Sequence, residues 1–293
     1  EKFIVQRRVD QMEAEGVSFI TNANVGKDFP TTDLVSQFDA ILLSGGSTKA
    51  RDLPIPGREL KGVHFAMEYL TQQNRHISGN LHHCANPITA EGKNVIILGG
   101  GDTGADCLGT AHRQKAKNIY QFELMAEPPK ERKLDNPWPQ WPLILRSSSA
   151  HEEGGIRDYS ILTKSFAGTN GSLEKLHAVR VEWDLDKNSG RSKMREIPHS
   201  EFEIETQLVL LAMGFVHPEH DGMITELGVD LDSHGNVATD KNKMTNTPGI
   251  FSSGDMARGQ SLVVWAIAEG REAARGVDHY LMGSTNLQPV LSN

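Results

Sequence analysis

The sequence predicts an α/β fold in which a Rossmann-like dinucleotide-binding domain is inserted into a second domain. An apolar run at residues 95–98 predicts a buried parallel strand, and it leads through a GxGxxG motif at residues 99–104 into a helix-compatible run. Two further apolar runs, at residues 40–43 and 208–213, each lead into a glycine-containing turn. Because these two similar strand ends flank the GxGxxG unit along the chain, we expect that unit to be an insertion.

The three motif glycines have separate physical roles. Gly99 permits a tight turn, Gly101 lets the backbone approach a pyrophosphate, and Gly104 lets the helix and the strand pack closely. Free N–H groups at the helix N-terminus then face the phosphates. Glu123 ends the next apolar run about 20 residues on, where the fingerprint places a ribose ligand. An ordinary glycine-rich turn is the alternative, but strand, helix and acid together favour nucleotide binding.

Composition and charge exclude several classes of protein. The 293 residues are 38% hydrophobic and 23% charged, which is typical of a globular chain with room for two domains. The formal net charge of −8 argues against a nucleic-acid-binding surface. No apolar run is long enough to span a membrane, so we expect no membrane partner. The absence of Met before Glu1 predicts that the sequence is part of a longer polypeptide.

The two cysteines indicate a reducing, cytoplasmic setting. Cys84 and Cys107 have no CxxC spacing, so they cannot build an iron–sulfur cluster, a zinc knuckle or a redox disulfide from closely spaced cysteines. His82 and His83 precede Cys84, but no second group of ligands converges on them. We therefore predict no metal site.

The amino-terminal part of the chain predicts alternating helices and strands. Residues 2–16 have loosely helical spacing, and residues 17–21 predict a short strand. After the core strand at residues 40–43, the proline-rich residues 53–57 predict an extended crossing. Residues 62–73 again show a helical pattern and lead into a polar linker.

The nucleotide unit begins at Asn94, and its second strand is predicted at residues 118–123. A long Pro- and Trp-rich loop follows at residues 127–154, and loops of this length are usually functional. Alternating polar and apolar residues then predict strands at residues 159–167, 176–185 and 201–206.

The carboxyl-terminal part contains a second candidate site. A strand within residues 246–255 places Gly254 and Asp255 at its end, and residues 261–281 predict a helix. A carboxylate at a strand end beside a helix N-terminus can bind a polyol, while backbone amides receive an anionic ring edge. The alternative is that Asp255 only caps the helix, but its distance along the chain from Ser261 disfavours this.

Several stretches together resemble the glutamate synthase small (beta) subunit. These stretches are residues 53–70, 99–107, 136–142, 149–153 and 254–274, and the resemblance extends over nearly the whole chain. The resemblance implies a flavoprotein with a glutathione-reductase-like architecture of two dinucleotide-binding domains. In that family NAD(P)H reduces FAD, and electrons pass through iron–sulfur clusters to the large (alpha) subunit, which makes glutamate from glutamine and 2-oxoglutarate.

This resemblance implies three segments. Residues 1–74 form the first part of a truncated FAD-binding domain, residues 75–213 form the NAD(P)-binding domain, and residues 214–293 complete the FAD-binding domain. The family's first GxGxxG motif and its cysteine-rich iron–sulfur region are absent from this chain. We therefore expect only half of a FAD site here, and iron–sulfur clusters only in the missing amino-terminal region.

The resemblance also assigns site residues. It implies that the nicotinamide nucleotide's pyrophosphate is held by Gly99, Gly101, Asp102, Thr103 and Gly104. It places Gly45 and Gly214 at backbone crossings near the two cofactors, and Gly254 and Asp255 on the ribityl or pyrophosphate side of the flavin. The backbone of Ser261, Leu262 and Val263 should face the isoalloxazine ring.

The choice between NADH and NADPH is predicted at the end of the second strand. NADPH-dependent bacterial family members have an arginine pair there, whereas this chain has Leu124 and Met125 after Glu123. A carboxylate suits a free ribose diol and repels a 2′-phosphate, so we predict a preference for NADH. Basic residues downstream, Lys130, Arg132 and Lys133, are the counter-argument because they could fold over a phosphate.

No catalytic side chain is predicted. Nicotinamide and flavin supply their own redox chemistry, so the protein needs only to align them and exclude water. We interpret His151, Glu152 and Glu153 as solvated loop residues.

Two alternatives remain open. One is another NAD(P)H-dependent flavoprotein, such as a sulfide dehydrogenase or a ferredoxin:NADP reductase-like subunit. The other is a nucleotide-binding module that is catalytically silent, which the incomplete flavin site favours.

Overall fold

A computed structural model describes residues 1–79, 86–138, 143–185 and 192–290. The chain divides into two compact units: unit 1 contains residues 1–49 and 215–293, and unit 2 contains residues 50–214. The sequence predicted domain changes after residues 74 and 213, whereas the compact units divide after residues 49 and 214. The first division comes earlier because residues 63–65 pair into the sheet of unit 2.

The described residues form eight helices and eleven strands. The helices are α1 (Lys2–Ala14), α2 (Thr31–Gln37), α3 (Ala66–Ile77), α4 (Asp102–Arg113), α5 (Ser149–Glu152), α6 (Met223–Leu227), α7 (Asp255–Arg258) and α8 (Val263–Met282). The strands are β1 (Ile41–Leu43), β2 (Val63–Phe65), β3 (Asn94–Leu98), β4 (Asn118–Phe122), β5 (Ile156–Asp158), β6 (Ile161–Thr169), β7 (Ser172–Leu185), β8 (Ser192–Glu196), β9 (Phe202–Glu205), β10 (Leu208–Leu211) and β11 (Ile250–Ser252).

Unit 2 is built on a parallel sheet with the strand order β2-β10-β3-β4-β5. Its central strand β3 has four consecutive buried residues, Val95 to Leu98, as expected for a strand covered on both faces. One face packs against α3 and α4 through a core that includes Tyr69 and Leu108. The other face packs against the antiparallel strands β6, β7 and β9 through a core that includes Phe166 and Leu176.

Unit 1 is organised around a parallel pair, β1 with β11, in which Leu43 lies opposite Ser252. A small core surrounds this pair and contains Leu43, Ile224 and Ile250. Among the described helices, none combines the length and the apolarity needed to cross a membrane.

Three local expectations differ from the structure. Residues 17–21 are not a strand, and no described strand pairs with them. The helix expected from residue 62 begins at Ala66, after β2. The strand expected at residues 159–167 corresponds to β6 but begins at Ile161, after Ser160, which adopts a positive φ of 56°; the short strand β5 before it was not predicted. His82, His83 and Cys84 lie outside the described residues.

Candidate functional site

A cleft of about 420 Å³ lies at the carboxyl ends of the parallel strands of unit 2. This is the edge of an open α/β sheet at which ligands bind. Its lining includes Gly99, Gly100 and Gly101, the residues Glu123 and Leu124 after β4, and Met213, Gly214 and Arg51 from the β10 side. The cleft therefore brings the predicted glycine motif, Glu123 and Gly214 to one site.

The glycines of the motif are packed very differently. Gly99 has a φ of +123°, and a Cβ there would lie 2.2 Å from the carbonyl oxygen of Ala212. A Cβ on Gly104 would lie 2.3 Å from the Gly99 carbonyl oxygen, so the helix and the turn approach as closely as expected. A Cβ on Gly101 would meet no atom of the described residues within 4 Å. The open space at Gly101 fits an approaching pyrophosphate.

Helix α4 begins immediately after this open position. Gly101 is its N-cap, no side chain caps the helix, and Asp102 and Thr103 form its first turn. The first N–H groups of a helix have no intrahelical partner, and they carry the positive end of the helix dipole. The start of α4 can therefore receive an anionic phosphate group.

Glu123 is held at the end of β4 by two backbone hydrogen bonds. Its Oε2 accepts the Gly100 N–H at 2.7 Å, and its Oε1 accepts the Met125 N–H at 3.0 Å. Leu124 and Met125 are exposed, and the cleft lining does not include Lys130, Arg132 or Lys133. Arg132 donates to the carbonyl oxygen of Asn136 at 3.0 Å. The Glu123 carboxylate is thus fixed against the glycine turn, and Arg51 also lines the cleft.

Two residues that were not predicted, Gln121 and His151, support the glycine turn. Gln121 is 2% exposed, and its Nε2 donates to the Gly99 carbonyl oxygen at 2.9 Å. His151 lies 2.9 Å from the Gln121 Oε1 through its Nε2, so the expectation of a solvated His151 is wrong. The sequence signal that could have identified Gln121 is a polar residue between the aromatic residues Tyr120 and Phe122 of a predicted core strand.

The two acidic neighbours of His151, Glu152 and Glu153, are both exposed, as expected. Glu153 forms an ion pair with Arg113 of α4. Both side chains of that pair are accessible to solvent, so the pair contributes little to stability.

The predicted flavin-side residues lie together in unit 1. Gly254 has a φ of +66° at the end of β11 and precedes Asp255, the first residue of α7. The Asp255 Oδ1 accepts the Ser261 N–H at 3.1 Å and the Ser261 hydroxyl at 2.9 Å. Asp255 therefore closes the turn between α7 and α8, and it does not cap α8, whose N-cap is Leu262.

Neighbouring residues complete this turn. Leu262 is 45% exposed and Val263 is 70% exposed, so the start of α8 is accessible to a ligand. Gly45 lies after β1, where a Cβ would be 3.1 Å from the Met256 Cε. Gln260 donates to the Ser47 hydroxyl at 2.6 Å, which ties the turn to the segment after β1.

A buried carboxylate that was not predicted lies beneath the turn. Glu269 is 2% exposed and accepts the Gly254 N–H at 3.1 Å, and it pairs with Lys243 at 2.9 Å and Arg258 at 3.1 Å. Burial raises the pKa of Glu269, but the hydrogen bonds from Lys243 and Arg258 outweigh it and hold that pKa below its usual range. The Arg258 guanidinium also stacks on Trp265, 3.9 Å from the ring centroid.

A parallel sheet with a GxGxxG turn, an uncapped helix N-terminus and an acid at the end of the next strand defines a dinucleotide-binding α/β protein. Sequence comparison then places the protein within this class. The chain belongs to the pyridine nucleotide-disulphide oxidoreductase family, whose sequence model matches residues 3–270.

Two curated relatives have different nicotinamide nucleotides in their names. The chain is 53% identical to a Mycobacterium tuberculosis protein named glutamate synthase [NADPH] small chain, over 98% of this chain and 58% of the relative. It is 45% identical to a Schizosaccharomyces pombe protein named glutamate synthase [NADH], over 98% of this chain and 14% of the relative. The chain thus spans less than two thirds of either relative.

Solved structures share the fold. FprA, an oxidoreductase of Mycobacterium tuberculosis, superposes with a TM-score of 0.70 at 14% identity, over 95% of this chain and 73% of FprA. Thioredoxin reductase of T. acidophilum superposes with a TM-score of 0.52 at 18% identity, over 83% of this chain and 66% of the reductase. At these identities the likeness concerns the fold alone.

Proposed function

We propose that this chain is the part of a glutamate synthase small subunit in which NAD(P)H is oxidised and a flavin is reduced. The observation that carries the proposal is the cleft of unit 2, where an open Gly101, the uncapped start of α4 and the fixed Glu123 carboxylate occur together. The similarity to named glutamate synthases over 98% of the chain supports the particular reaction.

Each unit has its own task in this proposal. Unit 2, residues 50–214, binds the nicotinamide nucleotide, and the turn of unit 1 from Gly254 to Val263 binds FAD. Bound nicotinamide supplies a hydride and bound flavin accepts it. The chain's own residues bind the pyrophosphate at Gly101, bind the adenosine ribose at Glu123 and orient the α8 N-terminus through Asp255.

The rest of the electron path lies outside this chain. We propose that electrons leave the flavin through iron–sulfur clusters of a longer small subunit and reach a large (alpha) subunit that makes glutamate from glutamine and 2-oxoglutarate. We further propose that NADH is the preferred donor, because Glu123 is fixed where a 2′-phosphate would need cations. The cytoplasmic location stays a prediction.

A second candidate function keeps the same hydride chemistry with another acceptor, as in a sulfide dehydrogenase or a ferredoxin:NADP reductase-like subunit. The fold shared with FprA, an oxidoreductase, is compatible with this candidate. Copurification of a full-length small subunit separates the two, since only the first predicts a partner with glutamate-forming activity.

A single substitution tests the nucleotide site. Gly101 has φ −83° and ψ −174°, an extended conformation that valine adopts, and within the part of the chain that the structure describes a Cβ there meets no atom within 4 Å. We therefore expect Gly101→Val to fold normally and to lose binding of NADH and NADPH, because the branched side chain fills the space for the pyrophosphate. Calorimetric titration decides this. If a folded Gly101→Val protein binds with unchanged affinity, the turn is not the phosphate site.

A further inference from the structure

The turn of the proposed nucleotide site contains one peptide group that is held at both ends. The Gly99 carbonyl oxygen accepts a hydrogen bond from the Gln121 Nε2 at 2.9 Å. The Gly100 N–H of the same peptide donates to the Glu123 Oε2 at 2.7 Å. Because a peptide group is planar, these two bonds fix the orientation of the Gly99–Gly100 peptide. Gln121 and Glu123 are two residues apart, and both reach this one peptide group from the end of β4.

His151 fixes the orientation of the Gln121 amide. The His151 Nδ1 accepts the Ser148 N–H at 3.0 Å, so the proton of the neutral ring is on Nε2. That N–H therefore donates to the Gln121 Oε1, 2.9 Å away, and leaves the Gln121 Nε2 to donate to Gly99. Burial and the Arg157 guanidinium lower the pKa of His151 against the opposing effect of Asp102, which favours this neutral form.

The surrounding packing leaves this arrangement little freedom. A Cβ on Gly104 would lie 2.6 Å from the Gln121 Nε2, so the amide is in close contact with α4. A Cβ on Gly109 would lie 3.1 Å from the Ala150 Cβ, so α5 also approaches α4 closely. The short segment that carries His151 is thus fixed against the same helix whose N-terminus forms the proposed phosphate site.

We propose that Gln121 and His151 are positioning residues for the nicotinamide nucleotide: they set the Gly99–Gly100 peptide of the phosphate-binding turn and couple the segment at residues 148–154 to nucleotide binding. This inference rests on the proposed nucleotide site. It assigns a role to the long loop after β4 that does not require any of its side chains to touch the cofactor. The hydrogen bonds from His151 to Gln121 and from Gln121 to Gly99 act on the proposed pyrophosphate turn, which NADH and NADPH share. Their loss should therefore weaken binding of both nucleotides equally.

The experiment compares the 293-residue chain with three variants by calorimetric titration with NADH and with NADPH. His151→Leu removes the donor to Gln121, and we expect binding of both nucleotides to weaken roughly fivefold to thirtyfold, with the ratio between them unchanged. His151→Gln restores an amide N–H near the Nε2 position and should bind within about threefold of the unchanged chain. Glu152→Gln, the exposed neighbour in α5, is the matched control and should bind normally.

Hydrogen exchange of the chain without nucleotide provides a second measurement. In His151→Leu the Ser148 amide should exchange faster because it loses its acceptor, the His151 Nδ1. The Gly100 amide should also exchange faster, because Gln121 no longer holds the Gly99–Gly100 peptide in place. Faster exchange together with the affinity pattern above supports the proposal. A folded His151→Leu protein that binds both nucleotides normally overturns it, as does equal weakening in His151→Gln.

The measurements distinguish an error in the proposed nucleotide site from an error in the positioning role of Gln121 and His151. If the unchanged chain binds neither NADH nor NADPH, the proposed nucleotide site is wrong, and the positioning role in nucleotide binding falls with it. If the unchanged chain binds the nucleotides but His151→Leu leaves the Gly100 exchange rate unchanged, the nucleotide site stands. Only the positioning role of Gln121 and His151 is then overturned.

Discussion

At the scale of single residues, the fixed carboxylate of Glu123 decides how the proposed site treats a 2′-phosphate. Both of its oxygens accept backbone N–H groups, so it cannot turn away from the end of β4 without losing hydrogen bonds. A doubly charged 2′-phosphate close to this half-buried carboxylate would meet a repulsion that solvent screens poorly. Lys130 and Lys133 of the downstream loop would first have to be ordered, at an entropy cost of up to ~2 kcal/mol each, and Arg132 would have to leave its hydrogen bond to the Asn136 carbonyl oxygen.

We therefore predict that this chain binds NADH about tenfold more tightly than NADPH, which corresponds to about 1.4 kcal/mol. Glu123→Ala should narrow the difference, mainly by weakening NADH binding, because it removes the proposed ribose ligand and the hydrogen bond to the Gly100 N–H, whereas for NADPH the loss of repulsion offsets part of this cost. Calorimetric titration of both proteins with both nucleotides measures this.

Met125→Gln is the matched control, because it changes an exposed residue outside the cleft lining without changing the charge. Tenfold tighter binding of NADPH, lost on replacing Arg132 and Lys133, would show that the loop decides the specificity and that the role given to Glu123 is wrong.

At the scale of elements, the β3–turn–α4 unit was predictable because each of its parts has a local cause. Four apolar residues form the buried strand, Gly99 has the positive φ that the turn needs, and Gly104 allows close packing. The strand β2 was not predictable, because its three residues are extended only through pairing with β10, more than a hundred residues away. Residues 17–21 have strand-like composition, but composition alone does not supply a neighbouring strand.

The supporting side chains of the site were not predictable for the same reason. Gln121 and His151 are 30 residues apart, and the fold alone brings them together. Glu269 lies on α8 and its partner Lys243 lies before β11, so neither shows helical spacing to the other. Local sequence therefore identified the groups proposed to meet the cofactors, and tertiary contacts supplied the groups that hold them.

The buried carboxylate of Glu269 connects α8 to Gly254 after β11 and to Arg258 of α7, and it gives a prediction for stability. Removing one partner of a buried ion pair costs about 3–5 kcal/mol, and glutamine keeps some hydrogen bonds, so we expect Glu269→Gln to lower the free energy of unfolding by roughly 3 kcal/mol. Urea unfolding at neutral pH measures this. The control is Glu152→Gln, which makes the same substitution at an exposed residue. Glu226 is not used, because it accepts a hydrogen bond from Thr31.

The pH dependence follows from the lowered pKa of Glu269. The folded state holds fewer protons than the unfolded state below the ordinary value of 4.5, so the stabilisation by the ionised group is present above 4.5 and is lost as the pH falls through the lower folded value. Stability of the unchanged chain should therefore decrease more steeply in this acidic range than that of Glu269→Gln. Parallel curves for the two proteins would contradict the role given to the carboxylate.

At the scale of the whole molecule, the insertion was predictable and one of its limits was not. The strands β1 and β10 each lead into a glycine turn, and these two similar strand ends flank the GxGxxG unit along the chain, which indicated that the unit is inserted. Residues 50–74 were expected with the first segment because they follow β1 in sequence. They belong to unit 2 because β2 pairs with β10 and Leu53, Ile55 and Leu60 pack into the core beneath β6 and β7.

The two proposed cofactor sites are unequal, and this gives a prediction for the purified chain. Unit 1 offers a flavin the Gly254–Asp255 turn and the accessible start of the 20-residue helix α8. The chain contains one GxGxxG motif, and it lies in unit 2. A flavin dinucleotide bound at unit 1 would thus lack the glycine turn that receives a pyrophosphate, and with it much of the favourable interaction with two negative charges.

We therefore expect the purified chain to contain FAD far below one equivalent, while NADH binds unit 2 and slows hydrogen exchange at residues 99–104. The visible absorption spectrum, together with flavin released on denaturation, measures the first quantity, and the exchange experiment supplies the control that the same preparation is folded and active in binding. One equivalent of FAD in a chain that retains these exchange properties would show that the turn of unit 1 suffices for flavin binding, and the half-site interpretation would be wrong.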